Sequence, residues 1–248
     1  MLIKDFINYL LKPEYIHAKE PNGRLQSAWA AFRIWSLTFL ISLFGVPISL
    51  LISNLFGVSF ADHAGYQYAA DRTMLQVFWG AILFFPVWEE LVFRIGLRFS
   101  RINLSVGLAF AAIYFARLVM IVLEIPRPSW LFSPDTIVGI ISILVPALSI
   151  TIFIWRLLSF IGDERLASFH QRRFGVVFYL PLLTFVLLHA LNYEKELWIL
   201  APLITIPQLF LAAGFGYIRM KYGLGWSISM HILNNAISFL PALILEEL

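Results

Sequence analysis

The chain has 248 residues, 60% of them hydrophobic and only 13% charged, with a mean hydropathy of +0.82. Soluble domains carry about 25% charged residues, so this composition excludes an ordinary globular domain and predicts an all-α, multi-pass transmembrane helical bundle. The absence of cysteine excludes disulfides, iron–sulfur clusters and a thiol nucleophile, and the net charge of +3 speaks to membrane orientation rather than to a nucleic-acid partner.

Residues 1–32 read as an amphipathic, interfacial helical arm. Phe6, Tyr9, Leu10 and Leu11 alternate with Lys4 and Lys12, and Pro13 and Pro21 punctuate the segment. Such a pattern suits a membrane surface, or a partly ordered tail. No apolar core of a cleavable signal peptide is expected between residues 1 and 26.

The transmembrane domain is expected over 33–248. Seven apolar spans fall at 34–56, 73–97, 104–123, 136–161, 174–192, 197–218 and 224–245. Each is close to the roughly 20 residues that a bilayer requires. The arm and the joints after spans two, four and six hold thirteen basic residues, among them Arg98, Arg101, Arg156, Arg165, Arg172, Arg173, Arg219 and Lys221. The other joints and the C-terminus hold Arg72, Arg127 and Lys195, together with acids such as Asp62, Asp71, Glu194, Glu246 and Glu247. By the positive-inside rule this alternation puts the N-terminus in the cytoplasm and the C-terminus outside.

The second span carries the anomaly, Phe84-Phe85-Pro86-Val87-Trp88-Glu89-Glu90-Leu91-Val92-Phe93-Arg94. Charge at such depth costs roughly 2.5–3.5 kcal/mol per residue on insertion scales. Glu90 and Arg94 are four apart and can pair along one helical face. Glu89 is rotated about 100° away and has no partner of its own on this helix. That leaves it as a general base, or as a carboxylate facing a water-filled crevice beside a structural ion pair. Pro86, three residues earlier, predicts a kink.

Five histidines are present. His17, His63 and His170 lie in polar segments and are expected at the solvated surface. His189 and His231 lie inside apolar spans. Phe185 and His189 share a face, as do His231 and Asn235, each pair four residues apart. His189 could make a helix-to-helix hydrogen bond. His231 and Asn235 could form an oxyanion hole, or a polar packing seam. Ser227, Ser229 and Ser238 lie near this last pair, where small hydroxyls are common at membrane helix contacts.

These residues resemble the CAAX protease and bacteriocin-processing family of intramembrane endopeptidases. Its three motifs are matched by Glu89-Glu90…Arg94, Phe185…His189 and His231…Asn235, over a core of roughly 73–100 and 174–242. The run from Gly214 to Asn235 also resembles the family's last two core helices. The resemblance implies peptide-bond hydrolysis. Glu89 and His189 would activate water, His231 and Asn235 would hold the oxyanion, and Glu90 and Arg94 would support them. It implies no cofactor in the metal-free version preferred here. In the zinc-dependent alternative, Glu89, His189 and His231 would be the ligands. The implied partners are membrane lipid and a peptide or protein substrate, including lipidated ones.

In many members of the family the second motif follows in the next helix. Here that helix reads Ile113-Tyr-Phe-Ala-Arg117, so 104–161 reads as an inserted hairpin, with Arg117 lacking an assigned partner. Depth is a second difficulty. At 1.5 Å per residue, Glu89 and His231 lie about 13 and 10 Å from their cytoplasmic ends, but His189 lies about 22 Å from its own. A proton-coupled transporter, or a non-catalytic membrane binding or immunity protein, would also use buried Glu, His and Arg.

Overall fold

The structure is a computed structural model and describes residues 2–16, 23–56, 72–126, 128, 131, 136–193 and 195–245. The expectations placed on His17, Lys19, Pro21, Asp62, His63, Asp71, Arg127, Glu194, Glu246 and Glu247 lie outside these residues. Every regular element among the described residues is helical. Among the described residues, five helices are long and apolar enough to cross a membrane: Arg24–Ile52, Met74–Leu97, Arg101–Val122, Ile137–Ser159 and Phe174–Asn192.

The arm is shorter and better anchored than its sequence suggests. Helix α1 (Leu2–Leu11) buries Phe6 and Tyr9. Phe6 meets Tyr217 edge-on at 5.2 Å, and Tyr9 meets Phe178 at 5.3 Å. Leu10 packs partly against the same core, while Ile3, Ile7 and Leu11 stay exposed at helical spacing. Helix α2 (Arg24–Leu55) begins inside the expected arm. Residues 24–32 therefore belong to the first long helix, because no breaker separates Arg24 from the apolar run.

The second long helix is built in pieces. Thr73 and Gln76 form a capping box that starts α3 (Met74–Val77). A π-helical stretch (Phe78–Phe84) leads into α4 (Phe85–Phe93), and a 3-10 turn (Ile95–Leu97) ends the span. Helices α5 (Arg101–Val122) and α6 (Ile137–Ser159) form a hairpin, capped at Ser100 and Thr136. Trp88, Ile113, Ile143 and Ala147 pin this hairpin to α4.

A short helix, α7 (Asp163–Arg172), precedes α8 (Phe174–Leu188). His170 is buried there rather than solvated. It hydrogen-bonds the Gly96 carbonyl at 2.9 Å and packs among Tyr15, Phe99 and Phe174. An aromatic pocket and a carbonyl left open at the end of the second span take it out of water.

The expected span 197–218 is not one helix. It divides into a 3-10 segment (Lys195–Leu200), α9 (Ala201–Ile204) and α10 (Ile206–Tyr222). Pro202 and Pro207 each lack the N–H that would carry a helix through. Helix α11 (Leu224–Leu245) follows.

Helix α10 is the centre of the bundle, packed by α2, α8 and α11. Every residue from Ala212 to Met220 is buried. Small residues make this approach close. A Cβ added at Gly214 would sit 2.7 Å from Thr38 Oγ1, and one at Gly216 would sit 2.9 Å from the Phe178 ring. The ends of α10 and the second span exchange arginines. Arg219 donates to the carbonyls of Arg94 (3.1 Å) and Ile95 (2.9 Å), while Arg98 donates to the Met220 carbonyl. Each arginine thus satisfies carbonyls left open at the other helix's C-terminal end. Arg219 is therefore buried and structural, not a cation of a surface joint.

Candidate active site

Pro86 sets the local geometry. The Phe85 N–H reaches the Gly80 carbonyl, five residues back, in the wide π register. In that register the next carbonyl, Ala81, would pair with residue 86, and proline has no N–H to give. Asn235 fills the gap, donating Nδ2–H to the Ala81 carbonyl at 2.9 Å. The expected kink is thus a change of helical register, repaired by a side chain from α11. One of the two amide hydrogens of Asn235 is committed there.

Glu90 is the hub of the polar centre. It is 0% exposed, and its partner Arg94 is 2% exposed. Arg94 Nη1 donates to Glu90 Oε1 at 3.0 Å, His231 Nδ1 lies 3.0 Å from the same oxygen, and Ser227 Oγ lies 2.6 Å from Oε2. A buried carboxylate survives only when its lone pairs are filled in this way. The Arg94 guanidinium lies 4.0 Å from the centre of the Phe185 ring, and His231 stacks on Phe215 at 4.6 Å. These rings fix the Arg94 and His231 side chains in place.

Glu89 differs from its neighbour. It is 19% exposed, and its Oε2 lies 3.4 Å from His231 Nε2. The helix gives Glu89 no partner, as its rotation predicts, but α11 supplies one. His231 therefore bridges the two glutamates, with one ring nitrogen toward each.

His189 opens the 3-10 turn His189–Asn192 that follows α8. Its Nδ1 lies 2.8 Å from the Phe185 carbonyl. A carbonyl only accepts, so Nδ1 carries the hydrogen, and the neutral ring keeps its Nε2 lone pair. Glu89 is within electrostatic range of His189 and of Tyr114, and Arg117 is within range of Tyr114. Among the described residues no direct hydrogen bond joins Glu89 to His189.

The end of the second span answers part of the depth difficulty. A 3-10 turn and an extended Arg98 rise further per residue than an α-helix does, which makes up about 3 Å of the difference. Phe93 and Phe185 then meet edge-on at 5.3 Å, which brings His189, one turn past Phe185, level with Glu89, one turn before Phe93.

Four of the expected residues, Glu89, Glu90, Arg94 and His231, thus form one connected cluster. His189 stands beside it, and Asn235 lies one turn from His231 with its amide turned to Ala81. Ser227, Arg219, Phe185 and Phe215 complete the cluster. Ser227 was legible in principle: residues 227, 231 and 235 repeat every four residues and line one face of α11. Arg219 was not, because its role is to reach carbonyls of a distant segment. Among the described residues no group of three acidic, histidine or cysteine side chains is arranged to hold a metal ion. Glu89, His189 and His231 do not form such a set.

The helices and this centre define a class: an all-helical membrane protein with a buried carboxylate–histidine–arginine cluster. No family model, curated protein or solved structure matches the chain.

Proposed function

We propose that this protein is an intramembrane endopeptidase of the CAAX-protease and bacteriocin-processing type, with seven crossings and a cytoplasmic N-terminus. The observation that carries the reading is the His231 bridge, because it sets a partly exposed carboxylate beside a fully buried and fully paired one.

In this mechanism Glu89 and the Nε2 of His189 hold a water between them. Glu89 takes one proton as the oxygen attacks the scissile carbonyl. The second N–H of Asn235 and, in its protonated form, the Nε2–H of His231 stabilise the oxyanion. The proton held by Glu89 then passes to the leaving amine as the C–N bond breaks. Glu90, Arg94 and Ser227 hold the His231 ring in register without touching substrate. The substrate is a peptide or protein presented at the membrane, and a lipidated one suits the apolar surroundings.

A second reading has its own support. Asn235 already serves Ala81, and His231 already bridges two carboxylates. A non-catalytic membrane binding or immunity protein would use the same contacts as a polar seam.

Cleavage of a mixed peptide library by the purified protein, with and without a chelator and with and without a prenyl group, separates the readings. The peptidase reading expects chelator-resistant cleavage that falls about 10²–10⁴-fold in Glu89→Gln. Cleavage abolished by chelator and restored by zinc would make it a metallopeptidase. Equal cleavage of plain and prenylated peptides would remove the lipid requirement. An equally active Glu89→Gln would sink the general-base role.

A further inference from the structure

One cavity among the described residues lies away from the polar centre. It is an open, apolar groove of about 480 Å³ between the first half of the second span and the start of α6. One wall is Leu75, Gln76, Trp79, Leu83, Phe84 and Val87; the other is Thr136, Ile137 and Ile140. Both walls belong to helices long and apolar enough to cross a membrane. Both helices also begin at the same end of the groove, with capping residues Thr73 and Thr136.

The groove is graded along its length. Its polar groups, Gln76 and Thr136, sit at the helix starts, where a bilayer turns polar. Gln76 Oε1 accepts from the Thr73 backbone N–H at 3.0 Å, and its amide hydrogens are not used in that contact. Beside them Trp79 is exposed, as interfacial tryptophans are. Below that level the lining is wholly apolar. At 1.5 Å per residue the wall from Gln76 to Val87 runs at most about 16 Å, less where Phe78–Phe84 is π-helical, and the facing wall from Thr136 to Ile140 runs about 6 Å. Both fit within one leaflet of the ~30 Å hydrocarbon core.

We infer that this groove holds one acyl chain of a membrane phospholipid, from the leaflet in which the second span begins. The ester and headgroup oxygens meet the Gln76 amide and the Thr136 hydroxyl, and the chain runs inward to Val87. Position selects this occupant: a concave surface on lipid-facing helices, within one leaflet and polar only at its mouth, matches a single lipid tail. The inference does not rest on the peptidase reading, since the groove is lined by none of the polar centre's residues.

The test uses the full chain in phosphatidylcholine nanodiscs with a trace of phospholipid carrying a photoactivatable diazirine in mid-chain. After irradiation, the labelled residues are mapped by mass spectrometry. Labelling is expected to concentrate on Leu83, Phe84, Val87 and Ile140. The groove-filling variant Leu83→Trp/Ile140→Trp should lose this labelling several-fold, while Leu148→Trp, on the exposed face of α6, should keep it. Labelling spread evenly over exposed positions such as Leu148 and Phe153 would overturn the inference, as would crosslinks between two copies at this face. So would displacement of the label by a lipidated peptide but not by excess phospholipid. If the filled variant fails to fold, the wild-type map decides alone.

Discussion

Glu90 has no slack: three donors from two helices converge on a carboxylate that water does not reach. Removing one of them leaves a charge or a lone pair stranded. Ser227→Ala is expected to cost about 1–3 kcal/mol, the penalty of an unsatisfied buried acceptor. Glu90→Ala is expected to cost about 3–5 kcal/mol, because it strands Arg94. Thermal unfolding in detergent measures both, and a Glu90→Ala protein as stable as wild type would show that the cluster is solvated. His170 makes a separate prediction, outside the membrane-spanning helices. Burial pushes its pKa below the ordinary histidine value. The unfolded chain therefore binds a proton at pH values where the folded one does not. The stability this histidine contributes is present above about pH 6.5 and is lost as pH falls through its lower folded value. His170→Gln keeps a donor for the Gly96 carbonyl without titrating. Its melting temperature should vary less with pH below 6.5 than that of wild type, and identical profiles would refute the assignment.

Among the elements, α10 sets the tolerances. Gly214 faces Thr38, a stiff β-branched side chain, at a distance that admits no Cβ. Gly214→Ala is expected to destabilise by about 1–3 kcal/mol through overpacking, and Thr38→Ala in the same chain should recover part of it. Equal melting of Gly214→Ala and wild type would contradict this packing. The elements also mark where the sequence is legible. Continuous hydropathy predicts 73–97 and 174–192 to within a residue of the helices found, because lipid contact is an average over a whole segment. It fails over 197–218, where two prolines break the chain and small residues serve packing rather than lipid. The i,i+4 pairings of Glu90 with Arg94 and of Phe185 with His189 could be read because they are local. The Asn235 bond to Ala81, the arginine exchange at Arg98 and Arg219, and the burial of His170 could not. Each depends on where a distant helix ends.

At the scale of the whole molecule, the proposed orientation rests on the positive-inside pattern. The chain has no cysteine, so single introduced cysteines give a clean topology readout. A cysteine at Arg165 should be protected from a membrane-impermeant thiol reagent in intact cells, and one at Glu124 should be labelled. The reverse pattern would invert the proposed orientation. Catalysis is also a claim about the whole molecule, because Glu89, His189 and His231 come from three separate segments of the chain. The most direct test is peptide cleavage by folded wild-type protein beside Glu89→Gln, an isostere that leaves the Glu90 cluster intact. The account predicts cleavage by wild type and a loss of at least about 10²-fold in the variant at unchanged melting temperature. Equal cleavage by both proteins would contradict it.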